Sequence, residues 1–291
     1  MSGSNVIETS PSDVRVDGLF CYPVKSFRAV SLHAAHIAIT GVSHDRQWMV
    51  VDTRTSPERF VTQREAPALA TVKAMIDGDL LLLSCASLAE LRVSAPPPHA
   101  LRRVKVWGSE LIALDAGDEA AAWIGRVLDA PPHRYRLVKF HPEQRRECSA
   151  RYAGDSGAHT FFADGYPVLL ANVSSLDALN SRMGRTAENA MPMNRFRPNL
   201  VLAGLPAWDE DHVETVAIGE VLLRLVKPCV RCEITTTHQD SGARLSDEPL
   251  ATLARFRNNP DLGGVTFGWN AVVVREGAVK RGDVCAVEYR F

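Results

Sequence analysis

The chain has 291 residues, 46% of them hydrophobic, and carries 33 Lys plus Arg against 34 Asp plus Glu for a net charge of -1. That length and apolar content support about two packed domains, and the balanced charge argues against a nucleic-acid partner while leaving room for local basic patches that hold small anions. Six unclustered cysteines point away from a disulfide framework and toward a reducing, cytoplasmic setting, and no apolar run approaches ~18 residues, so no membrane span is expected.

Residues 1–13 are polar and Ser-rich and read as a flexible tail without a secretory leader. From Val14 onward the pattern is short and strand-like: Val14 to Leu19, Val30 to Ala34, Gln47 to Asp52, Thr71 to Ile76 and Leu80 to Leu83. Asp77-Gly78-Asp79 joins the last two, and Asp-Gly between apolar runs signals a hairpin. Strands at this spacing predict a small, mostly antiparallel barrel or sandwich. Ala120, Ala121, Trp123, Ile124 and Val127 then fall on one helical face, with Asp118 and Glu119 at the end where the helix dipole favours anions. Pro131-Pro132 stops that helix, so the expected division is 14–131 and 132–291.

The second half mixes types. Tyr166 to Leu170, Phe196 to Leu202, Val213 to Val226 and Ala271 to Val274 read as strands, Ser174 to Asn180 as a capped helix start, and Pro249 to Phe256 as a helix. Strands and helices do not alternate regularly, which disfavours a doubly wound sheet. The class expected is α+β, mostly β.

The most informative stretch is Lys227-Pro228-Cys229-Val230-Arg231-Cys232-Glu233-Ile234-Thr235-Thr236, which gathers two thiols, two cations and two hydroxyls. Pro228 biases Lys227 away from αR, and the apolar run Val221 to Val226 precedes it, so the thiols sit where a strand gives way to a loop. A thiolate is a soft metal ligand or a nucleophile. Three other readings stand beside a single working cysteine. A zinc half-site needs a second ligand pair, a thioredoxin-like pair usually opens a helix, and two buried thiols can be inert.

Tyr22-Pro23-Val24-Lys25-Ser26 presents a cation and a hydroxyl that suit a phosphate or a solvated turn. His44-Asp45-Arg46-Gln47-Trp48 enters a strand with several polar groups, and by itself reads as surface charge. Asn194-Arg195-Phe196-Arg197-Pro198-Asn199 places two arginines before an apolar strand, where a buried guanidinium needs an anionic partner, from a ligand or a carboxylate. The chain has no G-x-x-x-x-G-K-[ST], G-x-G-x-x-G or G-x-S-x-G, so nucleotide hydrolysis, dinucleotide-dependent hydride transfer and α/β-hydrolase chemistry lose their usual support.

Taken in order, these clusters resemble the MOSC family of molybdenum-cofactor proteins, in its two-domain type with an N-terminal β-barrel. The resemblance runs from Gly18-Leu19-Phe20-Cys21-Tyr22-Pro23-Val24-Lys25-Ser26, through Asp45 to Val50, Phe162 to Pro167, Ser174-Ser175-Leu176, Arg195 to Asn199, the cysteine stretch and Phe267-Gly268, to Arg281-Gly282-Asp283. It implies a β-barrel domain followed by a MOSC β-barrel domain with peripheral helices, and a molybdenum cofactor (Mo-molybdopterin) between them. Cys232 is then the implied metal ligand and catalytic residue. Lys25, Ser26 and Arg46 are the implied pterin and phosphate contacts from the barrel, Ser174, Ser175 and Arg197 from the MOSC side, with Arg231 beside the ligand. The activity implied is reduction of N-hydroxylated compounds. Since the chain ends without a cysteine-rich extension, its electrons are expected from a separate flavin, iron-sulfur or haem protein. The different class of function that the same thiols allow is a sulfur carrier using a cysteine persulfide.

Overall fold

The computed structural model describes residues 14–290, so the expected tail at residues 1–13 lies outside the described residues. The fold is mostly β. A five-stranded closed barrel is made by Leu101–Val106, Ser109–Asp115, Tyr135–Phe140, Trp48–Asp52 and Glu58–Phe60. Closure comes from a parallel pairing of Glu58–Phe60 with Leu101–Val106, while the other neighbours are antiparallel. Closing the sheet leaves no unpaired edge for another chain to extend.

The run Trp48-Met49-Val50-Val51 is continuously apolar for a reason. Side chains alternate faces along a strand, and here both faces are buried. Met49 and Val51 join Val104, Val106, Val138 and Phe162 in one core, whereas Trp48 and Val50 join Leu69, Leu81, Leu137 and Trp123 in another. Each such large side chain contributes about 1.5–3 kcal/mol through burial. Trp123 comes from the helix Asp118–Val127, which covers the second core with Ala120, Ala121 and Ile124 inward. The hairpin expected at Asp77-Gly78-Asp79 forms, pairing Lys73–Asp77 with Leu80–Cys85, and Gly78 takes φ 57° in its turn.

A larger sheet runs in the order Val30–Ser31, Arg15–Cys21, Leu200–Ala203, Val168–Asn172, Gly264–Arg275, Val221–Val230, Val213–Ile218 and Cys285–Tyr289. Two strand sets therefore lie across the expected division at 131/132. Arg15–Cys21 pairs with Leu200–Ala203 in the larger sheet, and Tyr135–Phe140 pairs with Trp48–Asp52 in the barrel. The residues from Tyr22 to Arg46 thus bridge the two sheets. At Gly268, φ is 72° and an added Cβ would meet the Leu170 carbonyl oxygen at 2.6 Å, so only glycine lets these adjacent strands approach so closely.

Several local expectations shift. The stretch Val213 to Val226 is a hairpin of Val213–Ile218 and Val221–Val230, turning at Gly219 with φ 56°. Leu200–Ala203 starts later than expected because Arg197 sits at φ 56°, outside any strand conformation. The helix Val173–Arg182 is capped by Asn172, whose Oδ1 accepts from the Ser174 N–H at 3.1 Å, rather than by Ser174 itself.

Candidate functional site

A cleft of ≈ 400 Å³ lies where the Tyr22 to Arg46 segment, the Ala163 to Tyr166 loop, the Phe196 to Asn199 loop and the Lys227 to Cys232 stretch meet. Its walls include Lys25, Ser26, Arg46, Arg197, Arg231, Cys229 and Cys232. Residues separated by some two hundred positions in sequence are thus brought to one cavity.

The cysteine stretch gets there through an irregular strand end. Pro228 and Cys229 lie inside Val221–Val230, whose pairing with Gly264–Arg275 slips at Leu225/Lys227 and at Pro228/Val230. A proline lacks the N–H that a regular ladder needs, so bulges accommodate it and re-aim the next side chains. Cys232 follows the strand and is exposed, and Cys229 is half-buried. Arg231 lies between them, donating from Nη1 to Cys229 Sγ at 2.8 Å and from Nη2 to the Phe196 carbonyl at 2.7 Å. All six cysteines are free, and among the described residues no group of three or more His, Cys, Asp or Glu is placed to hold a metal ion. The zinc reading of the two thiols therefore finds no further protein ligands here.

The other end of the cleft is cationic. Arg46 Nη1 donates to Asp45 Oδ2 at 2.5 Å and to Asn199 Oδ1 at 3.0 Å, and its Nη2 reaches the Arg197 carbonyl at 3.3 Å. Asp45 also accepts from the Tyr22 N–H at 2.8 Å, so the reading of Asp45 and Arg46 as surface charge fails, because a buried Asp45 and a largely covered Arg46 share one network. Arg197 differs. Its Nη1 donates to Gln239 Oε1 at 3.2 Å, its Cζ stands 4.4 Å over the Tyr22 ring, and it has no carboxylate in ion-pair range among the described residues. Burial pushes its pKa down to about 10, against the weaker opposing pull of neighbouring groups. A second anion in the cleft would relieve that cost.

Lys25 is also buried, and desolvation lowers its pKa despite an ion pair with Asp164. Asp164 itself is 72% exposed at the side chain against 7% for Lys25. Its enclosing walls alone would raise its pKa, but the Lys25 ammonium and the Trp107 indole, donating from Nε1 at 3.2 Å, hold it well below the usual carboxylate range. Ser26, Arg46 and Arg197 all take positive φ, at 70°, 48° and 56°. Such backbone is uncommon for non-glycine residues and clusters where function over-determines geometry.

Ser174 and Ser175 are not brought to this cleft. Ser175 Oγ donates to buried Glu210 Oε2 at 2.7 Å and accepts from the Trp208 N–H at 2.8 Å, and Ser174 belongs to the capped first turn of its helix. Here both serve the helix, and neither lines the cleft. In their place the cleft adds Thr62, Arg64, Trp107 and Asp164, none of which the sequence marked as site residues. Gln63 and Gln239 lie behind it as a mutual pair, with Nε2 to Oε1 distances of 3.1 and 2.9 Å, and tie the Ser26 carbonyl to Arg197. Trp107-Gly108 had the pattern of a hairpin turn, but nothing local showed what the turn would face.

A barrel joined to a larger irregular sheet, with a thiol-and-cation cleft between them, defines the class, and sequence comparison agrees. Residues 13–131 match the MOSC N-terminal beta barrel domain and residues 157–286 the MOSC domain. The chain is similar to human mitochondrial amidoxime-reducing component 1, at 33% identity over 279 residues, 91% of this chain and 80% of that protein. It is 31% identical to the bovine mitochondrial amidoxime reducing component 2 over 282 residues, 92% of this chain and 81% of that one. A molybdenum cofactor sulfurase from rice is 29% identical over 290 residues, covering 92% of this chain but 34% of the sulfurase. The chain belongs to the family of MOSC-domain proteins with an N-terminal MOSC β-barrel, and is a distant relative of the amidoxime-reducing components.

Proposed function

We propose that the chain is a molybdenum-cofactor-dependent reductase of N-hydroxylated compounds such as hydroxylamines, amidoximes and N-hydroxylated bases. The observation that carries this reading is Arg197, a buried guanidinium without a carboxylate partner among the described residues, on the same cleft as the exposed thiol of Cys232. The donor set fits the cofactor. Lys25, Ser26, Arg46 and Arg197 converge as an anion-holding end for the pterin phosphate, and charge-assisted hydrogen bonds to phosphate are the strong kind. Cys232 offers the soft thiolate that such a metal prefers. Arg231 fixes the turn between the two thiols by holding Cys229 and the Phe196 carbonyl.

When bound, the cofactor supplies a two-electron redox centre. The overall conversion is R–NH–OH plus two electrons and two protons to R–NH2 and water, and the electrons come from a separate redox protein. The chain's own residues bind and orient the cofactor and surround it with a polar field, which is the protein's share of cofactor catalysis. Protein expressed in a cofactor-competent host should carry molybdenum and pterin and should reduce an aryl amidoxime with an artificial one-electron donor. A second reading is a sulfur carrier with a persulfide on Cys232 or Cys229, favoured by the similarity to the sulfurase. Sulfane sulfur on the purified chain without molybdenum or pterin would establish that reading instead.

A further inference from the structure

A second cleft, of ≈ 720 Å³, adjoins the first and shares Arg64 and Trp107 with it. Five cations line it, Arg54, Arg59, Arg64, Lys105 and Arg134, against two carboxylates. Both carboxylates are already engaged. Asp52 Oδ2 accepts from Arg54 at 2.7 Å and lies 3.6 Å from Arg134 Nε, and Glu65 accepts from the Thr62 N–H at 3.0 Å. The excess of positive charge is therefore real and local, since the whole chain has a net charge of -1.

One of the cations, Arg59, stands where the fold alone gives no reason for it. Arg59 and Lys105 are direct partners across the parallel pairing that closes the barrel, and like charges directly opposite destabilise a sheet. Lys105 lies 3.6 Å from Glu110, a carboxylate that Arg103 also approaches at 3.5 Å, and Arg59 has no ion pair among the described residues. At the join between the two clefts stands Trp107, 47% exposed, with Phe60 packed edge-on at 5.1 Å and Arg64 over its ring at 5.1 Å. Arginine and tryptophan side by side at a surface are the residue types that dominate protein contacts.

We infer that this cleft and its rim are the docking surface for a small acidic one-electron carrier protein, which sets its carboxylates against Arg59, Lys105 and Arg54 and its apolar contact against Trp107. The inference rests on the reductase reading, in which each turnover needs two electrons, delivered as two single-electron transfers from two reduced carriers. The position suits that task because the docking cleft and the cofactor cleft share a wall. The chemistry favours a protein partner over a small anion: the cations are long side chains spread over separate strands and a turn, with the exposure that steers a charged partner over a distance.

The test uses the full, cofactor-loaded chain with two probes, an acidic [2Fe–2S] ferredoxin and an acidic haem-b domain. Binding is followed by titration at low salt and at high salt, and turnover is compared between these donors and reduced methyl viologen. Binding should weaken steeply as salt screens the rim. The double variant R59E/K105E should raise the KM for the protein donor by about 10- to 1,000-fold while leaving viologen-driven turnover unchanged. The wild-type salt titration needs no variant, so a misfolded variant does not spoil the test. Salt-insensitive binding, absence of binding by both probes, or a double variant that accepts electrons like wild type overturns the docking surface. Occupation of the cleft by a free nucleotide or phosphate in place of either carrier overturns it too. Absence of viologen-driven turnover in the wild type counts against the reductase reading alone, because the binding titrations do not depend on turnover.

Discussion

Tyr22 and Arg197 face each other at the end of two adjacent strands of the larger sheet, Arg15–Cys21 and Leu200–Ala203: the Arg197 guanidinium carbon lies 4.4 Å over the Tyr22 ring, and Tyr22 Oη donates to the carbonyl of the next residue, Pro198, at 3.0 Å. Arg46 occupies the same ring, at 4.0 Å. One aromatic thus positions two guanidinium groups at the cationic end of the cleft, and the two have different work. Arg46 is fixed by Asp45 and Asn199, whereas among the described residues the Arg197 side chain donates only to a neutral amide oxygen.

That difference predicts opposite outcomes for two substitutions. Arg197→Met should leave the cofactor-free protein as stable as wild type or more so, because Gln239 Oε1 keeps its bond from Gln63 and a desolvated charge is removed. It should lose cofactor, since a hydrogen bond to a charged group is worth about 1.5–3 kcal/mol, or roughly 10- to 150-fold in affinity. Arg46→Ala strands the buried Asp45 carboxylate, and breaking a buried pair costs about 3–5 kcal/mol. Thermal denaturation of the cofactor-free proteins, with pterin content of the loaded ones, reads both. Full pterin content in Arg197→Met would remove Arg197 from the site.

The thiols separate in the same manner. Cys232→Ala should abolish molybdenum content and metal-dependent activity, because the other thiol on the cleft, Cys229, is half-buried and held by Arg231, which leaves no exposed soft ligand in its place. Cys229→Ala should keep most of both, since the Arg231 that it releases retains the Phe196 carbonyl. Metal analysis of the two variants decides, and equal losses would indicate that the cysteines work as a pair.

Much of this was legible in the sequence because it was local. Short apolar runs and the Asp-Gly turn marked the strands around Trp48 and Leu81, helical spacing marked Asp118–Val127, and the clustering of thiols with cations marked the Lys227 to Cys232 stretch. What stayed hidden is set by chain crossings that carry no local signal. Arg15–Cys21 pairs with Leu200–Ala203, and Trp107 meets Asp164 across the cleft, only because the barrel and the larger sheet are interlaced. The engagement of Ser175 is hidden for a related reason: Glu210, buried and 35 residues away in sequence, accepts from its hydroxyl.

Ser175→Ala should therefore be a stability variant and not a cofactor variant. Burial raises the Glu210 pKa, and donors from Asn172 and Ser175 oppose that shift by solvating its charged form. Deleting the hydroxyl removes one of these donors and the acceptor of the Trp208 N–H. Leaving buried partners unsatisfied costs about 1–3 kcal/mol. Urea denaturation should show that loss while pterin content per folded protein stays at the wild-type level. A selective loss of pterin with unchanged stability would return Ser175 to the site.

Asp164→Asn tests the ion pair that closes the cleft. The pKa of Asp164 is depressed in the folded state below its ordinary 3.8, so the stability it contributes is complete above that value and is lost as pH falls through the folded pKa. The neutral amide carries no such dependence and keeps an oxygen for the Trp107 indole. Wild type should therefore lead the variant at neutral pH, by less than about 1 kcal/mol because the carboxylate is largely exposed, and the lead should shrink as the solution is acidified below that ordinary value. The substitution also leaves buried Lys25 without its carboxylate, so inorganic phosphate should stabilise the variant more than it stabilises wild type. Urea denaturation of the cofactor-free proteins across the acid range, with and without phosphate, measures both effects. Parallel pH curves would mean that Asp164 gains nothing from Lys25 in the folded state, and an equal response to phosphate would mean that Lys25 does not hold the anion.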